Sequence, residues 1–158
     1  MPERYLLVLA FVAAAAGHAQ EVCPWLNSAT AGGILGGDVI VQVTHSSANK
    51  ADADCTFELQ RGERVSRLVI EVNTMRAPHE DFPAYKAQCG QHPRRLGALG
   101  NEAVDCGGSE HQQNWQMIVG RVRDRAFRVR ITTDEAEPAA GLRDEARRAA
   151  DQVAGILF

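Results

Sequence analysis

Alternation of apolar and polar residues predicts strands in the first half of the chain. In residues 55–60, CTFELQ, and residues 65–73, VSRLVIEVN, apolar side chains recur at every second position, as in a strand with one buried face. Residues 38–45, DVIVQVTH, are rich in β-branched residues, which favour extended backbone. We therefore expect three strands here, with the turn RGER, residues 61–64, joining the second to the third.

Helices are predicted near both ends of the chain. The first should start near Asn27 or Ser28, either of which supplies an N-cap oxygen, and stop at the glycines of residues 36–37. The last has one apolar stripe at helical spacing, formed by Leu142, Ala146, Ala149, Val153 and Ile156. Asp134, Glu135 and Glu137 precede it, where the helix dipole favours negative charge.

A central helix is predicted for PHEDFPAYKAQC, residues 78–89. Phe82, Tyr85 and Cys89 share one side at helical spacing. Because Pro83 is tolerated only in the first turn, the helix should begin close to Glu80 or Asp81. The glycine-rich residues 92–110 that follow are expected to form a long loop with a short strand around residues 103–106.

A hairpin is predicted for residues 118–131, within a stretch that holds five arginines in a chain of net charge −3. A two-residue turn at Asp124 and Arg125 would bring six residues to the core face: Ile118, Gly120, Val122, Phe127, Val129 and Ile131. The same register places Arg121 directly opposite Arg128 on the other face. Like charges in this relation are destabilising, so an anion should lie beside them.

This order of elements predicts one α+β domain. Its antiparallel sheet of about five or six strands is flanked by an N-terminal, a central and a C-terminal helix. The length of 158 residues suits a single core. We assign residues 20–158 to this domain.

Residues 1–19 have the pattern of a signal peptide. An arginine near the start precedes an apolar run over residues 5–16, and small residues at Gly17 and Ala19 suit cleavage after Ala19. The run is too short to span a bilayer comfortably, and no other segment is as apolar. We therefore expect an exported, periplasmic or extracellular protein with no integral membrane segment in the mature chain.

Export makes the four cysteines a disulfide framework. An even count in an oxidising compartment predicts two bridges among Cys23, Cys55, Cys89 and Cys106. Three connectivities exist, and we favour Cys23 with Cys55 and Cys89 with Cys106, since each pair would tie a helix end to a nearby strand or loop. Each bridge is worth about 3 kcal/mol by its effect on the unfolded chain.

The arginines of the hairpin are the candidate binding residues. Arg121, Arg123, Arg128 and Arg130 would share the face away from the core, and guanidinium groups bind phosphate or carboxylate. Trp115 and Met117 extend this face, but the interleaved aromatic residues of a nucleic-acid platform are missing, so nucleic acid is not expected as a partner. The simpler explanation is that acidic residues of the protein itself neutralise them, either Glu58 or Glu71 on other strands or Glu80 and Asp81 on the central helix.

A second candidate is the loop residues Asn101 and Glu102, because polar groups on glycine-rich loops often bind ligands. Known catalytic, metal-binding and nucleotide-binding motifs are missing from the sequence, so we expect no metal, no cofactor and no enzyme activity. The mild acidity, with a pI of about 5.9, gives no reason for general binding to anionic surfaces.

The segment LGNEAVDC, residues 99–106, and the final ARRAADQVAGILF resemble small exported bacterial proteins of unknown function. They are similar to uncharacterised actinobacterial lipoprotein domains, although Glu21 and Val22 before Cys23 depart from a lipid-attachment site. The resemblance implies a PsbP-like α/β/α sandwich that serves binding or sensing, and it supplies no catalytic residues.

The sequence therefore predicts an exported, non-enzymatic binding or accessory domain with an anionic envelope or extracellular partner. One alternative is a small hydrolase, which would need Glu102, Asp105 and His111 to converge in one cleft. Another is a purely structural envelope protein, which an exposed apolar patch around Trp115, Met117 and Val119 would favour.

Overall fold

The computed structural model describes residues 22–46, 51–90, 92–134 and 139–158. The predicted signal peptide lies outside these residues, as do Glu135 and Glu137. The elements follow one another as α1 (Ser28–Leu35), β1 (Ile40–His45), β2 (Ala53–Arg61), β3 (Arg64–Thr74), α2 (Pro78–Ala87), β4 (Arg94–Leu96), β5 (Glu102–Glu110), β6 (Gln113–Val122), β7 (Arg125–Thr133) and α3 (Ala139–Leu157).

All seven of these strands form one antiparallel sheet in the order β1-β2-β3-β7-β6-β5-β4. The α+β class is confirmed, but the sheet has seven strands rather than five or six. The additional strand, β4, lies in the segment predicted as loop, where Arg94 pairs with Asp105 of β5 in register and by an ion pair of 2.5 Å. A segment of three residues is too short to show a hydrophobic period.

The helices lie on both faces of the sheet. On one side, which we call the core face, α1 and α3 cover the larger apolar cluster, and Phe57, Leu68 and Ile70 are fully buried there. On the other side, which we call the arginine face, α2 packs over β6 and β7 and buries a smaller cluster that includes Phe82 and Met117. Four residues of the predicted α3 stripe are buried, whereas Ile156 is 54% exposed.

Helix α2 starts earlier than predicted, at Pro78 rather than near Glu80 or Asp81. Pro78 suits the first position of a helix, and Asp81 Oδ2 accepts hydrogen bonds from the backbone N–H groups of Arg76 (3.1 Å) and Ala77 (3.0 Å), just before the helix. Pro83 therefore lies inside the helix. At the end of the sheet, Asp134 accepts from the Val65 N–H, so its role is to join the β7 end to β3.

Both predicted disulfides are formed. Cys23–Cys55 joins the segment before α1 to β2, and Cys89–Cys106 joins the end of α2 to β5. The second bridge holds α2 against the arginine face. Two disulfides indicate an oxidising compartment rather than the cytoplasm.

The β6–β7 hairpin is present, but its predicted register is wrong. The turn residues are Arg123 and Asp124, one position earlier than predicted. Gly120 consequently pairs with Phe127, Arg121 with Ala126 and Val119 with Arg128, so Arg121 does not face Arg128.

The register differs by an even number of residues, so the six predicted core positions still share the core face, where all are buried. Phe127 lies over Gly120, and a β-carbon there would overlap its ring. In the observed turn Arg123 adopts a positive φ of 53°, and its N–H donates a hydrogen bond to Asn101 Oδ1, which stabilises the earlier turn.

Candidate functional site

The four candidate arginines do not form one patch. Arg123 is an exposed turn residue, and Arg121 lies near α2, with its guanidinium carbon 6.0 Å from the centre of the Phe82 ring. Arg128 and Arg130 point from β7 to the arginine face, where neighbouring strands supply their surroundings. Each arginine therefore has a different chemical environment.

The two predicted sites, the hairpin and the loop at Asn101, meet at the hairpin turn. The Asn101 N–H donates to the Arg121 carbonyl (2.8 Å), and the Asn101 Oδ1 accepts from the Arg123 N–H (2.6 Å). The Arg121 Nη1 donates to the Arg123 carbonyl (3.0 Å). The contacts of Asn101, Arg121 and Arg123 therefore stabilise the turn.

The neighbouring loop residues Gly100 and Glu102 also have structural roles. A β-carbon on Gly100 would overlap the Arg121 carbonyl, which explains glycine at this position of φ 63°. Glu102 forms an ion pair of 2.5 Å with Lys86 of α2. Glu102 thus fastens α2 to the sheet.

Arg128 is neutralised within the protein. It forms an ion pair with Glu71, its register partner on β3, and donates a hydrogen bond to Gln88 Oε1 (2.6 Å). Of the acidic residues expected to neutralise the hairpin, Glu71 does so, whereas Glu58 pairs with Arg67 of β3 at 2.7 Å and Asp81 accepts backbone N–H groups at the start of α2.

Arg130 differs from the other three. Its guanidinium carbon lies 5.1 Å from the centre of the Trp115 ring, within the range of a cation–π interaction. Gly108 of β5 leaves room for the same indole, because a β-carbon there would lie 3.3 Å from it. Within the described part of the chain, Arg130 forms no hydrogen bond or ion pair, and its Nε is buried without an acceptor.

A shallow depression of about 340 Å³ surrounds Arg130. We call it the Arg130 depression, and it is lined by Arg67, Val69, Glu71, Gln113, Arg128, Arg130 and Thr132. It brings together side chains from β3, β6 and β7. Since Arg67 and Arg128 each have a glutamate partner, Arg130 is the arginine of this lining that has no carboxylate partner among the described residues.

A carboxylate lies one strand away from the depression. Asp54 of β2 is the register partner of Glu71, so two acidic side chains face each other across β2 and β3. Burial and the charge of Glu71 raise the pKa of Asp54, and Arg128 opposes this rise. Arg128 therefore offsets the repulsion within this acidic pair as well as neutralising Glu71.

The three residues of the hydrolase alternative do not converge. Glu102 binds Lys86 beside α2, and His111 is exposed in the turn between β5 and β6. Asp105 points to the core face, with only 3% of its side chain exposed, and bonds to Arg94, whose pKa this hydrogen bond raises. The cleft that this alternative requires is therefore not built from these residues.

The apolar patch of the structural alternative is not exposed either. Met117 and Val119 are buried, and Trp115 is half-buried. In the described ranges, no three His, Cys, Asp or Glu side chains are grouped to hold a metal ion. No helix in the same ranges is long and apolar enough to cross a membrane.

Sequence reasoning identified Glu71 of β3 as a partner of the hairpin arginines but missed Arg67 and Val69, which line the same depression. On β3, the buried residues alternate with Arg67, Val69 and Glu71, so the sequence pattern predicts which face of the strand these three occupy. Their position beside β7 could not be predicted from the sequence, because no local pattern indicates which strands pair with each other. Comparison of the chain with protein-family models, curated proteins and solved structures finds no match.

Proposed function

We propose that this protein is an exported binding domain, periplasmic or extracellular after removal of residues 1–19, that holds an anionic group of its partner at Arg130. It acts by binding and performs no chemical step. The supporting observation is the state of Arg130, a guanidinium held against an indole without a carboxylate partner among the described residues. The predicted signal peptide and the two disulfides support export.

The surroundings of Arg130 suit an oxyanion with two accessible oxygens. A guanidinium offers paired N–H donors that match the two oxygens of a carboxylate or phosphate. Contact with Trp115 limits the movement of the guanidinium, so less conformational entropy is lost on binding. The hydroxyl of Thr132 and the amide of Gln113, both lining the depression, add uncharged hydrogen-bonding groups.

The shape of the surface favours an anionic group on a large partner. The Arg130 depression is shallow and lies on a sheet face, whereas small-molecule sites enclose most of their ligand. A carboxylate of a polysaccharide, a phosphate, or an acidic side chain of a protein shares the required chemistry. Trp115 is the one aromatic side chain beside the depression among the described residues, which does not suit successive stacked nucleobases.

The test is a titration of the mature protein, residues 20–158, followed by NMR. Three probes separate the sources of the anion: inorganic phosphate, polygalacturonate and poly-glutamate. We expect at least one probe to shift both the Trp115 indole N–H and the Arg130 Nε–H resonances, with an affinity that falls as salt rises. If no probe moves these two resonances at low salt, the proposal is wrong.

A further inference from the structure

We propose that two copies of this chain pair through the outer edge of β1, so that their sheets join into one. The two edges of the sheet are built differently. The β4 edge is only three residues long and carries Arg94 and Arg95, two features that prevent edge pairing. The β1 edge is six residues long and has no charge from Ile40 to Thr44.

Strand β1 is also regular and incompletely covered. It pairs with β2 at six consecutive positions, so its outer N–H and C=O groups follow an uninterrupted ladder. No other strand of the described residues pairs with that outer side. Val41 and Val43 are only partly buried against the core, and Ile40 is 66% exposed. Another strand would cover these side chains.

A second copy fits this edge because β1 is self-complementary around Gln42. In an antiparallel pairing centred there, Gln42 meets its own counterpart on a two-fold axis. Val41 then lies opposite the partner copy's Val43 on the core face, and Ile40 lies opposite the partner copy's Thr44 on the arginine face. Every pair joins residues of the same face, so both sheets keep their buried and exposed sides.

The residues that flank the strand agree with this register. Asp38 would lie opposite the partner copy's Ser46 and beside the partner copy's His45, so no like charges meet. A pairing of six residues buries little area, and the dimer should therefore be weak and depend on concentration. Because the axis is perpendicular to the sheet, the arginine faces of both copies would point the same way.

The test exploits the two-fold axis, where a residue meets its own copy. Gln42 is exposed, so Gln42→Lys and Gln42→Glu should leave the monomer folded. Each places like charges opposite each other in the dimer and should weaken association roughly fivefold in sedimentation velocity across a concentration series. An equimolar mixture of the two variants should associate at least as well as the wild type.

The control is Gln152→Lys, the same change at an exposed position of α3, which packs on β6 and β7 rather than on β1. It should leave association unchanged. The proposal is overturned if the wild type stays monomeric up to its solubility limit. It is equally overturned if the mixture associates no better than either variant alone, or if Gln152→Lys weakens association as much as Gln42→Lys.

Discussion

Arg130 lies over the indole of Trp115, with its guanidinium carbon 5.1 Å from the ring centre, at the border between the part of the arginine face under α2 and the part that α2 leaves open. The neighbouring Arg128 is bound to Glu71 and Gln88. Two arginines only two residues apart on one strand therefore have different roles. Arg128 connects parts of the protein, and Arg130 is the arginine that we propose binds a partner.

Replacing Arg123 by glycine should stabilise the protein. Arg123 holds φ at 53°, a conformation that costs a residue with a β-carbon about 1 kcal/mol relative to glycine. Arg123→Gly should raise the free energy of unfolding in urea by up to about this amount. Arg123→Ala is the matched control, since it removes the same charge but keeps the β-carbon. The account of the turn fails if the two variants are equally stable.

Replacing Asp54 by asparagine should stabilise the protein at neutral pH. Burial, and then the charge of Glu71, raise the Asp54 pKa above its ordinary value of 3.8. A carboxyl with a raised pKa stabilises the fold while protonated, and this contribution is lost as the pH rises through the pKa of the folded state. At neutral pH the ionised Asp54 carboxylate therefore destabilises the folded protein. Because the side chain is exposed, this loss of stability is less than about 1 kcal/mol.

The pH dependence of the Asp54→Asn effect provides a control. The stability gained through Asp54→Asn should vanish below pH 3.8, where Asp54 is protonated in the folded and the unfolded chain alike. The same change at Asp144, exposed on α3, supplies the comparison for loss of an acidic charge. A gain that is equal at both pH values, or equal at both positions, would show that Glu71 and burial are not the cause.

Removing the Cys89–Cys106 bridge should destabilise the protein by about 3 kcal/mol, because the bridge closes a loop between residues 17 apart. The double change Cys89→Ser and Cys106→Ser should also speed hydrogen exchange in α2, which the bridge attaches to β5. Amides of α1 serve as the internal control, since α1 packs on the opposite face. Equal acceleration in α1 and α2 would contradict a local role for this bridge.

The sequence carries enough information to place the core face. Leu68, Ile70 and Val72 alternate with polar neighbours on β3, and this period of two requires only one buried side. The six core residues of the hairpin were identified despite a wrong register, because a shift by an even number of residues keeps every side chain on its face. The signal-peptide pattern and the even number of cysteines likewise predict the two disulfides that the structure contains.

The site could be predicted only in part, because it depends on contacts between distant segments. Glu71 and Arg128 are 57 residues apart and meet only because β3 pairs with β7. The turn depends on Asn101, which is 22 residues from Arg123 and accepts its N–H. Neither contact produces a periodic pattern in the sequence, so the sequence could not show that Arg128 has a carboxylate partner whereas Arg130 has none among the described residues.

The most direct test of the account compares Arg130→Gln with Arg67→Gln in titrations with phosphate, polygalacturonate and poly-glutamate. Both variants remove one positive charge from the Arg130 depression, but only Arg67 has a glutamate partner. We expect Arg130→Gln to lower the affinity for the bound probe about tenfold, and Arg67→Gln to lower it less than about twofold. Equal loss in the two variants would contradict the assignment of the anion to Arg130.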